Sequence, residues 1–368
     1  MQAGRLRSVI IRPMYNTKKE FDRDQEQNKR YSRIRDVASL EKYKDYFKNK
    51  LILVTGGTGS FGHQMVSTLL GCETRKIIVF SRDEKKQVDM QRDYDSSSQL
   101  EFIVGDVRDY HSVFEAMEGV DIVYHAAALK QVPNCEKNPF EAVKTNIVGA
   151  ENVRRAALAR NVGAVIAIST DKAAKPVNVM GMTKALQERI FVNYHRNERG
   201  TRFICVRYGN VVGSRGSVIP FFRERIKAGK PLPVTHSDMT RFLLTLEDAV
   251  GLVWEATVHG QGSDLFVKKM PACYTLDLAK VMSRELTGKE DYPIEIVGIR
   301  SGEKIHEVLV SEEEMLRAVE TESHYIVYSY GKIEKPSLLR DIREYTSANT
   351  EIFDHDQIRE LLLKEGWI

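Results

Sequence analysis

Between Ser169 and Lys184 the chain reads STDKAAKPVNVMGMTK. Thr170, Asp171 and Lys172 set a hydroxyl, a carboxylate and an amine side by side, and a second amine, Lys184, follows. These are the parts needed to move protons and hydride around a carbinol carbon. The apolar run from Val165 to Ile168 predicts a buried strand ahead of them. Pro176 and Asn178 break the backbone, and a helical run begins near Met180 and carries Lys184 one turn on. The reactive groups therefore fall at the carboxyl end of a strand, where open α/β sheets collect their sites.

A second group of residues suits a dinucleotide. Leu51 to Thr55 predicts a short strand and His63 to Leu70 a helix. Between them stand Gly56, Thr58, Gly59, Ser60, Phe61 and Gly62. Glycines at this spacing let the backbone turn tightly and approach a pyrophosphate, whose charge meets the helix N-terminus. The next strand, Lys76 to Phe80, ends in Ser81, Arg82 and Asp83, with Lys85 and Lys86 beyond. An acid at this tip would grip the ribose 2′-hydroxyl of NAD, whereas a guanidinium suits the 2′-phosphate of NADP. With Arg82 first, NADP is favoured, and the alternative is that Asp83 selects NAD. After the strand Glu101 to Val104, Asp106 and Val107 are placed for the adenine. After Asp121 to His125, the small Ala126 and Ala127 let a cofactor lie against the strand end, and Lys130 follows. A long helix is expected from Asn138 to Arg160. Asn146 on its apolar face either satisfies backbone groups or holds the active-site lysine through water.

The later chain supplies substrate contacts. A strand from Arg202 to Arg207 leads to Asn210, then to a loop with Arg215 and Val218 before a helix from Phe221 to Ala228. Arg241 precedes a helix from Leu246 to His259, and Arg300 and Glu303 follow a strand from Ile294 to Val297. A strand near 263–268 and helices over 275–287 and 354–364 complete the pattern. Arginines at 215, 241 and 300 suit a diphosphate. The expected fold is α/β: a doubly wound parallel sheet of Rossmann type with a smaller C-terminal substrate-binding lobe. The cofactor domain spans 50–212 with 235–268 returning to it, and the lobe takes 213–234 and 269–310. Residues 1–49 form a basic extension with a helix over 31–47, and 311–368 a tail suited to oligomer contact.

Charge and composition narrow the classes. The net charge of +4 over 368 residues is small, and the first 49 residues carry 13 Lys and Arg against 7 Asp and Glu. The basic surplus thus belongs to the extension, and nucleic acid is not the expected partner. The 4 cysteines have no paired spacing, which fits a reducing cytoplasm and excludes a Cys-rich metal motif. No apolar run reaches membrane-spanning length.

The segments TGGTGSFG (55–62), FSRDEKKQ (80–87), GDVRD (105–109), HAAALKQVPNCE (125–136), STDKAAKPVNVMGMTK (169–184), RYGNVVGSRGSVIPFF (207–222), DMTRFL (238–243) and RSGEK (300–304) together resemble the extended short-chain dehydrogenases/reductases. Within these the chain is similar to the capsule-type UDP-N-acetylglucosamine 4,6-dehydratases that invert C5. The resemblance spans about 50–310. It implies NADP, a UDP-N-acetylglucosamine substrate, a role in surface polysaccharide synthesis and a homo-oligomer, with a hexameric ring as one form. Most short-chain dehydrogenases carry Tyr-x-x-x-Lys; here Met180 holds the tyrosine position, as in capsule-type members, and Lys184 is retained. Retaining sugar dehydratases carry an acid pair where this chain has Asp171 and Lys172. The resemblance implies that hydride taken from C4 returns to C6. Lys172, its pKa lowered, would remove the C5 proton, and Asp171 would protonate the departing C6 hydroxyl. Thr170 would hold the 4-hydroxyl, Lys184 the nicotinamide ribose, and Asn210, Arg241, Arg300 and Glu303 the UDP. The 4-hydroxyl proton falls to Asp171, Lys172 or water at Lys184. A nucleotide-sugar C4 epimerase and a non-catalytic NADP binder are the alternatives.

Overall fold

Short runs of Ile, Val, Leu and Phe, closed by glycines and polar turns, make the strands of this protein. The computed structural model describes residues 43–94, 97–192, 200–214, 216–329 and 342–368. The strands are β1 (Leu51–Thr55), β2 (Lys76–Ser81), β3 (Leu100–Val104), β4 (Ile122–His125), β5 (Ala164–Ile168), β6 (Arg202–Arg207), β7 (Asn210–Val211), β8 (Leu232–Val234), β9 (Thr240–Leu244), β10 (Asp264–Lys268), β11 (Ala272–Tyr274), β12 (Ile294–Ile296), β13 (Val308–Val310), β14 (Ala318–Glu320), β15 (His324–Tyr328) and β16 (Tyr345–Thr346). The longer helices are α1 (Ser60–Leu70), α2 (Glu84–Asp93), α3 (Tyr110–Ala116), α4 (Gly149–Ala159), α5 (Val179–Val192), α6 (Val218–Lys227), α7 (Leu246–His259), α8 (Thr275–Thr287) and α9 (His355–Lys364).

The main sheet has 9 strands in the order β14-β15-β10-β6-β5-β4-β1-β2-β3. From β3 through β10 every neighbouring pair is parallel, and β15 joins β10 antiparallel. This is a parallel-dominant α/β sheet of Rossmann type. The chain runs outward through β1, β2 and β3, then returns to the other side of β1 at β4. That reversal opens a crevice beyond the strand ends. Register aligns the ends: Thr55 faces both Phe80 and His125, and His125 faces Ala167.

Helices pack on this sheet through apolar faces. Trp254 of α7 is fully buried, its indole N–H meets the Met65 sulfur of α1, and its ring lies 4.6 Å from that of Phe47. A second, smaller core joins α6, α8 and α9 with β8, through Phe222, Leu232, Val234, Leu278, Met282, Ile358 and Leu362.

Three features differ from the sequence reading. The helix expected over 138–160 is interrupted by a π-helical turn at Val143–Val148 before α4 begins. Residues 311–368, read as a tail, supply β14 and β15 to the main sheet and β16 as the partner of β13. All of β15 is buried, so its alternating aromatics are core rather than surface. α1 begins at Ser60, ahead of the expected His63, so its N-terminus reaches into the glycine loop. Of the expected 31–47 helix, only Lys44–Phe47 lies within the described residues.

Candidate active site

A cleft of about 1090 Å³ runs along the carboxyl ends of β1, β2, β4, β5 and β6. Of the residues expected to act there, it is lined by Gly56, Thr58, Gly59, Ser60, Phe61, Gly62, Ser81, Arg82, Asp106, Val107, Ala126, Ala127, Lys130, Thr170, Asp171, Lys172, Met180, Lys184 and Asn210.

The glycine loop fits a pyrophosphate. Gly56 has a φ of 69°, and a Cβ there would stand 2.8 Å from the Ala127 nitrogen. The loop thus lies against the end of β4, and the first residues of α1, Ser60, Phe61 and Gly62, line the cleft, where a helix N-terminus favours a phosphate. At the tip of β2 the Arg82 guanidinium lies 3.7 Å from Asp106 and is half-exposed. Asp83 is already committed: it caps α2 by accepting from the Lys86 N–H at 3.1 Å, and its other oxygen pairs with the Lys86 amine at 2.7 Å. Lys85 turns outward to Asp89, and Lys86 takes its expected place on the cleft wall. Asp106 is gripped by Arg108 at 2.6 Å. Burial works against its charge, but Arg108 and Arg82 hold its carboxyl below the ordinary range.

The reactive segment continues β5. Ser169 N–H donates to Val206 O at 2.7 Å and Asp171 N–H to Tyr208 O at 3.1 Å, so the segment is pinned to the end of β6. Thr170 donates to Asp171 Oδ1 at 2.7 Å, and the Lys172 amine donates to the same oxygen at 3.0 Å. Glu307, at the start of β13, brings Oε1 to 3.5 Å from that amine. Asp171 Oδ2 and Glu307 Oε2 are buried and have no hydrogen-bond partner among the described residues, and neither has Asn210 Oδ1 or Ser217 Oγ. Asp171, Asn210 and Ser217 line the cleft, so unspent acceptors face a ligand-sized space there.

Lys172 shifts opposite to expectation. Burial works to lower the Lys172 ammonium, but the Asp171 and Glu307 carboxylates outweigh it despite the opposing Arg241, so its pKa is raised. Lys184 is the depressed one: burial brings it to about 8, against the opposing pull of Cys205 and Glu188. Its amine donates to Ile168 O and, at 2.8 Å, to Gln187 Oε1. Met180 is 4% exposed, packed on Cys135 and Ala142 and edged by Leu129, Val132 and Val179. Its thioether sits in an apolar wall and offers no proton.

The π-helical turn explains Asn146. The extra residue in that turn leaves Thr145 on the cleft wall and Asn146 fully buried. The Asn146 amide accepts from Leu129 N at 2.8 Å and donates to Leu129 O and Thr183 Oγ1, both at 3.0 Å. It thus holds backbone beside the cleft and does not line it. Arg241 is likewise spent, donating to Thr240 O at 2.7 Å and Ile305 O at 3.2 Å beside Glu307. Arg300 is exposed, 3.9 Å from Glu303, and Val218 packs into the small-lobe core; none of these lines the cleft. Arg215 lies outside the described residues.

Sequence reasoning missed Glu307 and Tyr208. Glu307 is a lone acid before an apolar strand, outside any motif. Tyr208 lines the cleft with its ring 6.3 Å from that of Phe61, and burial raises its pKa, so its hydroxyl stays protonated. Among the described residues no group of three or more His, Cys, Asp or Glu could hold a metal ion, and no helix is long and apolar enough to cross a membrane.

A protein of Rickettsia canadensis named UDP-glucose 4-epimerase is 45% identical over 336 residues, covering 88% of this chain and 98% of the relative. The solved structure of Pen from Bacillus thuringiensis is 38% identical with a TM-score of 0.82, covering 88% of this chain and 99% of that one. A dTDP-glucose 4,6-dehydratase, DesIV from Streptomyces venezuelae, solved with NAD and DAU, is 21% identical with a TM-score of 0.63 over 69% of this chain and 86% of that one, and shares the fold. The family model described as polysaccharide biosynthesis protein matches residues 52–329, and the chain belongs to that family.

Proposed function

We propose that this protein is an NADP-dependent nucleotide-sugar 4,6-dehydratase that acts on UDP-N-acetylglucosamine with inversion at C5 and serves surface polysaccharide synthesis. The observation that carries this reading is the cluster of Asp171, Lys172 and Glu307 at the cleft, with Met180 where the usual tyrosine would stand. A C4 epimerase needs one proton acceptor beside its hydride carrier. Loss of water needs a separate acid and base, and this cluster offers both.

NADP fits the loop of Gly56, Gly59 and Gly62, with the half-exposed Arg82 on the cleft wall to meet a 2′-phosphate while Asp83 is occupied as a cap. Bound there, its nicotinamide would supply a reversible hydride acceptor, so the overall reaction is redox-neutral. The chain's own residues handle the protons. At rest Lys172 and Asp171 form an ion pair. Substrate that expels water from the cleft disfavours the charged pair and drives the proton from the amine to the carboxylate. Water at Lys184 would take the 4-hydroxyl proton as hydride leaves C4, and the transfer within the pair makes Lys172 a base for the C5 proton that the C4 ketone acidifies and makes Asp171 an acid. Asp171 lines the cleft, and its Oδ2, which has no hydrogen-bond partner among the described residues, delivers the proton to the leaving C6 hydroxyl. Thr170 orients the carboxylate by donating to Oδ1. Tyr208 contributes a donor only. Asn210 and Ser217 offer acceptors to the nucleotide sugar.

Protein supplied with NADP and UDP-N-acetylglucosamine is expected to yield a sugar nucleotide lighter by one water, read by mass. A product of unchanged mass with C4 inverted would establish the epimerase reading, which the name of the Rickettsia relative favours. Arg82→Ala is expected to weaken NADP binding by roughly 10- to 100-fold, about one charge-assisted contact, with NAD little affected. Equal loss for both cofactors would remove Arg82 from the 2′-phosphate.

A further inference from the structure

The tryptophan after α9 lies on the loop that forms the substrate side of the cleft. α9 ends in a Schellman turn: Gly366 N–H donates to Leu363 O at 3.0 Å and Trp367 N–H to Leu362 O at 2.8 Å. The turn folds Trp367 back onto Gly213. The fit is closest at Gly213, which has a φ of 67°. A Cβ there would stand 2.3 Å from the indole Nε1 and 2.4 Å from Cε2 and Cζ2. The indole therefore rests directly on the loop backbone, in a space no other residue type leaves open. Arg223 of α6 lies 5.4 Å from the centre of the same ring. Trp367 also packs against the small-lobe core that contains Phe222 and Leu362. Past Val212, which bonds to Leu244 O, the loop's backbone bonds are local: Ser214 to Val211 at 3.3 Å and Ser217 to Ser214 at 3.0 Å. Val211, Ser214, Gly216 and Ser217 of this loop line the cleft.

We infer that Trp367 is a positioning residue for the substrate wall: it holds Gly213 in place and thereby fixes Ser214 and Ser217 where they meet the ligand. The inference rests on the reading of this cleft as a nucleotide-sugar site. The contacts of Trp367 are with Gly213, Arg223 and the small-lobe core, so substrate affinity should depend on it and cofactor affinity should not.

The test is calorimetric titration of UDP alone into NADP-loaded wild type, Trp367→Ala and Trp367→Phe, with NADP affinity measured separately. Trp367→Ala is expected to weaken UDP binding by about tenfold with NADP affinity unchanged, and Trp367→Phe, which keeps an aromatic face on Gly213, to restore most of it. Equal UDP affinity in wild type and Trp367→Ala would overturn the inference. A parallel loss of NADP and UDP binding would also overturn it, as the mark of a purely structural role. A wild type that binds NADP but no UDP would instead overturn the nucleotide-sugar reading, and this inference with it.

Discussion

Lys172→Ala lowers kcat by roughly 10²- to 10⁴-fold, the usual worth of a positioned acid or base, while NADP affinity stays at the wild-type value. Once its proton has passed to Asp171, the neutral amine is the strongest base of the cluster. Without it the C5 proton loses that acceptor, and Asp171 loses the source of the proton it must deliver. Cofactor binding is spared because the glycine loop and Arg82 belong to β1, α1 and β2, remote in sequence and held by their own contacts. Lys172→Arg separates charge from chemistry. It keeps a cation between Asp171 and Glu307, which lie 3.0 and 3.5 Å from the native amine, but a guanidinium does not release its proton. Lys172→Arg is therefore expected to fold as the wild type does and remain as inactive as Lys172→Ala. Single-turnover kinetics and NADP titration check both variants. A Lys172→Arg enzyme with near-native turnover would remove the lysine from proton transfer.

Arg207→Met destabilises the fold by about 3–5 kcal/mol, the cost of leaving a buried charge unpaired. Arg207 is 1% exposed. It donates to Glu188 Oε1 at 3.0 Å and Oε2 at 2.5 Å, to both Glu314 oxygens at 2.9 Å, and to Leu309 O at 2.7 Å. Glu188 also accepts from Ser169 Oγ at 2.5 Å, so this buried cluster stands directly behind the reactive segment. Burial alone would raise Glu314, but Arg207 holds it down to about 2. Its pairing therefore stabilises the fold above the ordinary glutamate range, and that contribution is lost as pH falls toward 2. In Arg207→Met both carboxylates lose their cation, and Glu314, no longer held down, takes up a proton more readily, so the deficit is largest near neutral pH and shrinks in acid. Urea midpoints across pH measure this. A variant as stable as wild type at neutral pH would contradict it, and replacing both glutamates with glutamine in the same background should recover much of the loss.

The glycine loop and its place along the cleft were legible in the sequence because their geometry is local. A strand, a glycine loop and a helix are consecutive in the chain, and β1 runs over Leu51–Thr55 as the apolar pattern predicts. The same holds for Thr170, Asp171 and Lys172, whose juxtaposition follows from adjacency. What escaped the sequence depends on residues far apart. Glu307 reaches Lys172 only because β13 pairs with β16 beside that segment, and nothing in its neighbours marks it. The raised pKa of Lys172 follows from that distant carboxylate together with Asp171, opposite to the lowering expected of a base. Arg241 and Arg300 carry the right charge for a diphosphate, but hydrogen bonding and exposure, which composition cannot show, keep them off the cleft wall. The π-helical turn that buries Asn146 leaves no trace in apolar periodicity, because one extra residue shifts the phase within a continuous helix.

The reaction run in D2O with NADP-loaded protein and UDP-N-acetylglucosamine, followed by NMR of the sugar, tests the central claim most directly. The Asp171–Lys172 pair predicts a 6-deoxy-4-keto product carrying solvent deuterium at C5 with that centre inverted. A C4 epimer with no label at C5, or a sugar recovered unchanged, would contradict it.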